Sequence, residues 1–379
     1  MPANGSPTIL ILSAPIGEGH DLPARVLADG LTEAAPGANV CIEDGLDAMG
    51  RVLRRVLIGG SPFHSRLGNR LFELEHRLIS DMRPTRWLAG WLLYVFGARG
   101  LRRRVAAHRA DVVVSTYPGV TEVLARLRRR RRLHVPVVSA ITDLASLRYW
   151  ASPGVDLHLV THPESMAEVM TIAPGSRVEC VHGLTAPDFL VPCDRGEARR
   201  RLDIPDGSRL VVVSGGGWAV GDLAGAAEVA ATIPDVVVIC LCGRNQAVRE
   251  QLERRFADEP RVRAMGFTEA MSELLTAADA LVHSTAGLTV LEAHMCGCPV
   301  ISYGWGRGHV RTNNEAFRRF RLAEVAATRD DLAAALRAAL DGPRPAPNGS
   351  FADLRSAASL VLSLAGPAPE GAAEVARAA

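Results

Sequence analysis

The chain alternates short apolar runs with segments of helical periodicity along most of its length. The apolar runs predict strands at 8–13, 38–43, 111–115, 135–141, 156–160, 209–214, 235–242, 279–283 and 298–302. Helical patterns lie between them at 22–34, 119–130, 268–277, 286–296 and 329–340. Strands that are apolar throughout and separated by helices indicate βαβ units, in which a parallel sheet is buried on both faces. The pattern therefore predicts an α/β fold.

The series of strands begins again after residues 194–209, which predict a short helix and a turn leading into a new first strand. A chain of 379 residues is also too long for one ordinary hydrophobic core. We therefore predict two tandem Rossmann-like domains, 1–190 and 191–345, that face each other across a cleft. Residues 346–379 are predicted to form a linker, a terminal helix with the option of crossing back to the first domain, and a frayed tail. Ligands of such sheets bind beyond the carboxyl ends of the strands.

The composition excludes several kinds of chemistry. All 43 basic residues are arginine, so the chain has no lysine for a P-loop, a Schiff base or a kinase-type site. The formal net charge of +2 gives no reason to expect a nucleic-acid partner. The seven scattered cysteines have neither C-x-x-C nor zinc-finger spacing, so we expect buried thiols in a reducing cytoplasm and no metal site. No signal peptide is visible, and the apolar stretch 87–97 is shorter than the about 20 residues that span a bilayer.

A glycine-rich turn follows the first predicted strand and reads Gly17-Glu18-Gly19-His20. The two glycines would let the backbone approach a ligand closely, and the histidine would stand at the mouth of the strand as a general base. An ordinary strand-to-helix turn with an incidental histidine explains the same residues. The motif alone leaves both interpretations open.

A second glycine-rich turn follows the first strand of the second half. Gly216 and Gly217 stand in the run SGGGWAVGD, where consecutive N–H groups form a nest suited to phosphate. The spacing is not G-x-G-x-x-G, and no acidic residue follows at the distance that a dinucleotide site needs. The turn therefore argues against NAD, and it indicates either a phosphate contact or a structural turn.

A phosphate-type helix start follows the eighth predicted strand. Ser284, Thr285 and Gly287 precede a helical pattern that carries Thr289 and Glu292. N–H groups at a helix start favour a phosphate, and hydroxyl groups add donors. Glu292 is spaced to accept hydrogen bonds from a ribose diol. The alternative is an N-capped helix with a surface glutamate.

Two further features lie in the first half of the chain. Asp143 ends the buried strand at 135–141, where it would orient a base, bind hydroxyl groups or cap the next segment. Residues 50–108 interleave arginines with leucines and aromatic side chains. This segment is typical either of a basic amphipathic element at a membrane interface or of a helical pair packed on the first sheet.

Together these stretches resemble the GT-B glycosyltransferases of the MurG and monogalactosyldiacylglycerol synthase group, glycosyltransferase family 28. The likeness covers residues 8–342 and rests on GEGH, TYPGVTEVLARL, ITDLASLRYWASPGVDLHLV, GGGWAVGDL and GFTEAMSELLTAADALVHSTAGLTVLEA. The last stretch is the most specific, and the middle three are similar to the lipid-sugar synthase branch. The resemblance implies an inverting, metal-independent transferase without a cofactor. It would take a UDP-hexose as co-substrate and a glycerolipid or other hydroxyl acceptor, on the cytoplasmic membrane face.

The resemblance also implies roles for individual residues. His20 would deprotonate the acceptor hydroxyl, with Gly17, Gly19 and Asp143 on the acceptor side. Phe267 and Met271 would lie near the uracil and the phosphates. The remaining donor-side residues would be Gly216, Gly217, Ser284, Thr285, Gly287, Leu288, Thr289, Glu292, His309 and Asn313. Of these, the residues from 284 to 289 would bind the diphosphate and Glu292 the ribose.

The chain departs from this family at one turn. Where the family carries a glutamine that contacts the donor sugar, this sequence has Gly308-His309, while Asn313 and Asn314 keep the later amides. The hexose and the acceptor therefore stay open. Three other functions on the same scaffold also stay open: a UDP-sugar epimerase or hydrolase, a transferase with a non-lipid acceptor, and a non-catalytic nucleotide-sugar sensor.

Overall fold

The computed structural model describes residues 6–15, 18–51, 53–55, 83–285, 287–304 and 309–365. The first domain is built on a seven-stranded parallel sheet of order β13-β6-β5-β4-β3-β1-β2. Its strands are β1 (Thr8–Ser13), β2 (Asn39–Asp44), β3 (Val112–Ser115), β4 (Val137–Ile141), β5 (Leu157–Val160), β6 (Arg177–His182) and β13 (Arg355–Ser356). Its helices are α1 (Glu18–Ala34), α2 (Gly45–Met49), α3 (Arg83–His108), α4 (Pro118–Arg129), α5 (Leu147–Trp150) and α6 (Met166–Ile172).

The second domain is built on a six-stranded parallel sheet of order β12-β11-β10-β7-β8-β9. Its strands are β7 (Arg209–Ser214), β8 (Val236–Leu241), β9 (Val262–Met265), β10 (Ala280–His283), β11 (Val300–Tyr303) and β12 (Glu324–Ala326). Its helices are α7 (Arg195–Arg201), α8 (Leu223–Ala231), α9 (Gln246–Arg255), α10 (Met271–Ala277), α11 (Leu288–Met295), α12 (His309–Phe320) and α13 (Arg329–Asp341). Hydrophobic clusters cover both faces of each sheet, as buried parallel sheets require. The predicted α/β fold with two Rossmann-like domains is confirmed.

All the predicted strands are present, and the structure adds strands that the sequence pattern did not indicate. The added strands β9 and β12 lie at the edges of the second sheet, and β9 is only partly buried. Strand β6 likewise alternates buried and partly exposed positions. Because none of these strands is buried along its whole length, none carries the continuous apolar run that marks a central strand.

The C-terminal segment crosses back to the first domain. Strand β13 pairs in parallel with β6, and α14 (Ala357–Leu364) follows it directly. Helix α14 packs on α1, where a Cβ atom at Gly30 would lie 3.6 Å from that of Ala358. Leu360 and Val361 are fully buried in the cluster that covers this face of the first sheet. The terminal helix therefore crosses back to the first domain, which was one of the two predicted arrangements.

Helix α3 accounts for the described part of the predicted segment 50–108. Its inner face packs on α2 and α4, with Tyr94, Leu101 and Val105 buried. Its outer face is apolar and exposed. Residues 56–82 lie outside the described residues. Within the described ranges, no helix is both long and apolar enough to cross a membrane.

Both sheets reverse their strand order at one point, and these points locate the site. In the first sheet β1 lies between β2 and β3, and in the second sheet β7 lies between β8 and β10. Ligands of open parallel sheets bind at such switch points, beyond the carboxyl ends of the strands. Helix α1 begins at Glu18, four residues before the predicted start at 22, so His20 lies in its first turn beside the β1–β3 switch point.

Candidate active site

Both switch points open into one cleft between the domains. The cleft has a volume of about 360 Å³. It brings together the following residues predicted for the site: Gly19, His20, Asp143, Gly216, Gly217, Ser284, Thr285, Gly287, Leu288, Thr289 and Glu292. The candidate base of the first domain therefore shares one cavity with the candidate phosphate-binding helix of the second.

His20 is held in one tautomer by the backbone. Its Nδ1 lies 2.9 Å from the carbonyl oxygen of Thr116, which directly follows β3. A carbonyl oxygen only accepts, so Nδ1 carries the proton and Nε2 of the neutral ring is the basic nitrogen. The rings of Tyr117 and Trp150 pack against the imidazole at centroid distances of 5.2 and 5.5 Å. A fixed ring plane and tautomer are what a general base requires.

Asp143 acts on this arrangement through a tryptophan. Its Oδ2 accepts a hydrogen bond of 3.0 Å from the indole Nε1 of Trp150. Because Trp150 packs against His20, the carboxylate of Asp143 fixes the aromatic wall beside the imidazole. Among the roles left open by the sequence, the geometry therefore favours orientation of the base, exerted through Trp150 rather than by direct contact.

The second glycine loop contacts both domains closely. A Cβ atom at Gly217 would lie 2.8 Å from Cγ of Glu18, and one at Gly216 would lie 2.8 Å from Cγ2 of Thr285. Gly216 also has a φ of +66°, a conformation that favours glycine. The loop thus fills the space between the start of α1 and the start of α11, and a side chain at either position would separate them.

Glu18 forms an ion-pair bridge at the edge of the cleft. Its carboxylate lies 2.7 Å from Arg25 on the same helix and 2.9 Å from Arg244 of the second domain. Partial burial acts to raise the pKa of Glu18, but the hydrogen bonds and charges of the two arginines outweigh it, so the pKa is lowered. Arg244 also lies over the ring of Phe267, 4.2 Å from its centroid. Glu18 is therefore an ionised contact between the domains.

Helix α11 begins at the β7–β10 switch point and presents its N-terminus to the cleft. Gly287 precedes it with a φ of +76°, and a Cβ atom there would lie 2.7 Å from the carbonyl oxygen of Thr142 in the first domain. Only glycine fits this approach. The hydroxyl of Ser284 donates to the carbonyl of Tyr303 at 3.1 Å, which orders the loop before the helix. The first N–H groups of a helix have no partner within it and bind anions well.

Glu292 is buried rather than a surface glutamate. It is 6% exposed, lines the cleft and accepts a hydrogen bond of 2.5 Å at Oε1 from the hydroxyl of Thr185 in the first domain. Burial raises the pKa of Glu292 to about 7, while that hydrogen bond acts to lower it. In its ionised form this carboxylate can accept hydrogen bonds from a diol in the cleft.

The remaining predicted residues are not among the described residues that line the cleft. Gly17 lies outside the described residues, as does the side chain of His309. Phe267 is 46% exposed beneath Arg244, and Met271 packs against the core of the second domain. Their expected places near the uracil and the phosphates stay predictions.

Asn313 holds the two domains together instead of lining the donor side of the cleft. It is fully buried, and its Oδ1 accepts hydrogen bonds of 3.1 and 3.2 Å from the backbone N–H groups of Leu144 and Ala145. Leu144, from the loop between β4 and α5, is buried within the core cluster of the second domain. Asn313 therefore binds a loop of the first domain in this structure, and the donor-binding role expected for it stays a prediction.

Replacing Asn313 by alanine is expected to lower the free energy of unfolding by about 2 kcal/mol, because two buried N–H groups lose their acceptor. Urea denaturation measures this loss. Hydrogen exchange at the Leu144 and Ala145 amides should also become faster. Asn314→Ala is the matched control, since the Asn314 amide accepts from Ser302 and donates to the carbonyl of Gly304, both of the second domain. Unchanged exchange in the Asn313 variant would contradict this role.

Sequence reasoning missed several residues of the site. Thr142, Trp150, Trp218 and Val310 also line the cleft. Trp218 is 57% exposed within the second glycine loop, and an exposed tryptophan among glycines was an available signal. The carbonyl of Thr116 had no signal, because its contact with His20 depends on the pairing of β1 with β3.

Two protein-family models match the chain. Residues 26–180 match the model described as monogalactosyldiacylglycerol (MGDG) synthase. Residues 222–341 match the model described as glycosyl transferases group 1. The two matches thus fall on the first and second domains respectively.

Curated relatives and solved structures that are similar to this chain are also glycosyltransferases or their structural relatives. A processive diacylglycerol beta-glucosyltransferase of Bacillus licheniformis is 23% identical over 303 residues, which are 79% of this chain and 78% of the relative. One of Bacillus pumilus is 21% identical over 345 residues, 87% of this chain and 85% of the relative. The structure of MurG from Acinetobacter baumannii is similar at a TM-score of 0.55, with 14% identity over 94% of this chain and 99% of that chain. SnogD from Streptomyces nogalater is similar at 0.57, with 19% identity over 95% of this chain and 100% of that chain.

Proposed function

Because the chain is a GT-B glycosyltransferase of the MurG and monogalactosyldiacylglycerol synthase group, we propose that it transfers a hexose from a UDP-sugar to a glycerolipid hydroxyl. One observation carries the proposal. His20, with its basic Nε2, and the N-terminus of α11 lie at the two switch points and line the same cleft. A base and an anion-binding helix start within one cleft suit a reaction in which a hydroxyl loses a proton while a diphosphate leaves.

His20 takes the proton of the acceptor in this proposal. The hydroxyl oxygen forms a bond to the anomeric carbon from the face opposite the leaving group, and its proton passes to Nε2 of His20. The bond between the anomeric carbon and the diphosphate oxygen breaks at the same time, so the configuration inverts. The Thr116 carbonyl continues to accept from Nδ1–H and favours the imidazolium that forms.

The diphosphate gains negative charge as it leaves. In the proposal, the N–H groups at the start of α11 and the partial positive charge of the helix end stabilise that charge. Glu292 accepts hydrogen bonds from the ribose hydroxyls, one turn further along the same helix. No metal ion and no further cofactor take part in this mechanism.

An apolar surface on the first domain supports a lipid acceptor. On the outer face of α3, six side chains that form two rows with a spacing of four residues are between 39% and 62% exposed: Trp87, Leu88, Trp91, Leu92, Val95 and Phe96. We call this set the aromatic face. A contiguous exposed surface of aromatic and aliphatic side chains next to basic residues is typical of a membrane-binding helix.

A second cavity lies beside the aromatic face. It has a volume of about 370 Å³ and is lined by α3, α4 and the segment around α5, including Trp87, Leu93 and Tyr149. Tyr149 is hydrogen-bonded to Tyr117, whose ring packs edge-on against His20. A lipid that enters from the aromatic face would therefore be separated from His20 by one layer of aromatic rings. All seven cysteines are free thiols, which suits the cytoplasmic membrane face as the place of reaction.

Charge reversal at Arg102 and Arg103 is expected to weaken binding to anionic vesicles at least tenfold, since each basic residue near an anionic surface contributes about 1 kcal/mol. Both side chains are exposed at the C-terminal end of α3. Vesicle co-sedimentation measures the effect, and added salt should weaken binding of the wild type. Arg254→Glu/Arg337→Glu, on the second domain, is the matched charge control. Equal binding by both double variants would count against a membrane-facing α3.

Turnover with and without acceptor tests the reaction type. Incubation with a panel of UDP-hexoses and diacylglycerol vesicles should give a glycolipid, and UDP-sugar alone should stay intact. Conversion of UDP-sugar without acceptor would instead identify an epimerase or hydrolase. Donor binding without any product would identify a sensor.

A further inference from the structure

One hydrogen bond joins the donor side of the cleft to the acceptor domain. The hydroxyl of Thr185 donates to Oε1 of Glu292 at 2.5 Å. Thr185 is 5% exposed and follows β6, and its neighbour Leu184 is buried in the core of the first domain. The position of the hydroxyl is therefore set by the first domain, while the carboxylate belongs to the second.

This bond leaves Glu292 able to bind a ligand. A carboxylate has about four acceptor sites, and one hydroxyl occupies one of them. Glu292 also lines the cleft with Ser284 and Thr289. The contact with Thr185 restricts the rotation of the side chain, so the remaining acceptor sites have a defined direction. None of the roles given above to residues of the cleft involves Thr185.

We propose that Thr185 is a positioning residue for the donor: its hydroxyl orients the Glu292 carboxylate to accept hydrogen bonds from the ribose diol. This inference rests on the proposed function, in which Glu292 binds the ribose. Because the two groups come from different domains, the orientation is complete only when the domains are together. Donor affinity is thereby linked to the presence of the acceptor domain at the cleft.

The same bond affects the charge of the carboxylate. Burial raises the pKa of Glu292 to about 7, and the Thr185 hydroxyl acts against this effect by donating to the ionised form. Loss of the hydroxyl must therefore raise the pKa further. The described titratable groups near Glu292 are His294 on its own helix, Cys296 directly after that helix, His162 of the first domain beside His294, and Glu18, His20 and Asp143 in the cleft.

The test is calorimetric titration of the whole protein with UDP, from about pH 5.5 to about pH 8.5. Thr185→Val keeps the side-chain shape and removes the donor, and it should weaken UDP binding about tenfold at pH 7, the effect of losing one hydrogen bond to a charged group. The pH midpoint for binding should move upward, and much of the affinity should return at the alkaline end. In turnover, the KM for the UDP-sugar should rise while kcat changes less than twofold.

Thr185→Ser restores the hydroxyl and should restore both the affinity and the pH midpoint. In a double-mutant cycle with Glu292→Gln, the effects should not add, because Thr185 acts through Glu292. Thr185→Ala gives the same readouts if the valine variant folds poorly. An equal loss of affinity at every pH, additive effects, or unchanged binding in the valine variant would overturn the inference. Absence of UDP binding by the wild type would overturn the proposed function itself.

Discussion

Replacing His20 by alanine should lower kcat by about 10²- to 10⁴-fold, the usual contribution of a positioned general base. The hydroxyl of the acceptor substrate would then have to lose its proton to water, because no base would be held beside the anomeric carbon. The affinity for UDP should stay within a factor of about two, because the proposed diphosphate and ribose contacts come from α11 rather than from α1. Steady-state kinetics and calorimetric titration with UDP measure the two quantities separately.

The exposed His134 of the same domain provides the matched control. His134→Ala removes an imidazole outside the cleft and should change neither quantity. His20→Gln adds a second comparison, since its side chain is polar but does not act as a base at neutral pH. A His20→Ala enzyme with kcat close to that of the wild type would remove His20 from the mechanism, whereas equal losses in kcat and UDP affinity would indicate a structural role.

Replacing Glu292 by glutamine should weaken UDP binding by about 10- to 100-fold, because a charged acceptor for two ribose hydroxyls becomes a neutral amide. The variant should at the same time be more stable than the wild type above neutral pH. A residue that costs stability and serves binding is typical of functional sites. Calorimetric titration with UDP and thermal unfolding of the free protein measure these two effects.

The direction of the stability change follows from the pKa. Burial raises the pKa of Glu292 from 4.5 to about 7 in the folded protein. Between these values the unfolded chain releases the proton while the folded chain keeps it, so the free energy of unfolding of the wild type falls as pH rises. Glu292→Gln lacks this loss, so its advantage in Tm should be largest at about pH 8 and disappear below about pH 4.5. Asp143→Asn is the comparison variant. It also changes a carboxylate of the cleft into an amide, but this carboxylate contacts Trp150 and not Thr185. An advantage for Glu292→Gln that is independent of pH would contradict the titration of this carboxylate.

The sequence was sufficient for the architecture because a parallel sheet buried on both faces leaves a continuous apolar run in each central strand. It also indicated both glycine-rich turns that line the cleft, since each follows the first strand of a domain and carries glycines at points of close approach. Gly287 illustrates the limit of such reasoning. The sequence predicts that this glycine begins a helix. It does not show why no other residue fits, which is that the Thr142 carbonyl of the other domain lies against this position.

Contacts between distant parts of the chain account for what sequence reasoning missed. The tautomer of His20 is set by the Thr116 carbonyl, and the burial of Glu292 is completed by Thr185. Asn313 carries the same amide whether it faces a sugar or a loop, and only the packing of Leu144 into the second domain distinguishes the two. None of these partners is local in sequence, so no local pattern could have identified them.

The most direct test of the central claim is transfer of label from a radiolabelled UDP-hexose to diacylglycerol vesicles, with the product examined by thin-layer separation and by NMR of the anomeric proton. We expect label in the lipid phase as a glycoside of inverted configuration. We also expect formation of this glycoside to depend on His20, while UDP binding does not. Label that remains in water as free hexose or as an epimerised UDP-sugar, or a glycolipid of retained configuration, would contradict the account.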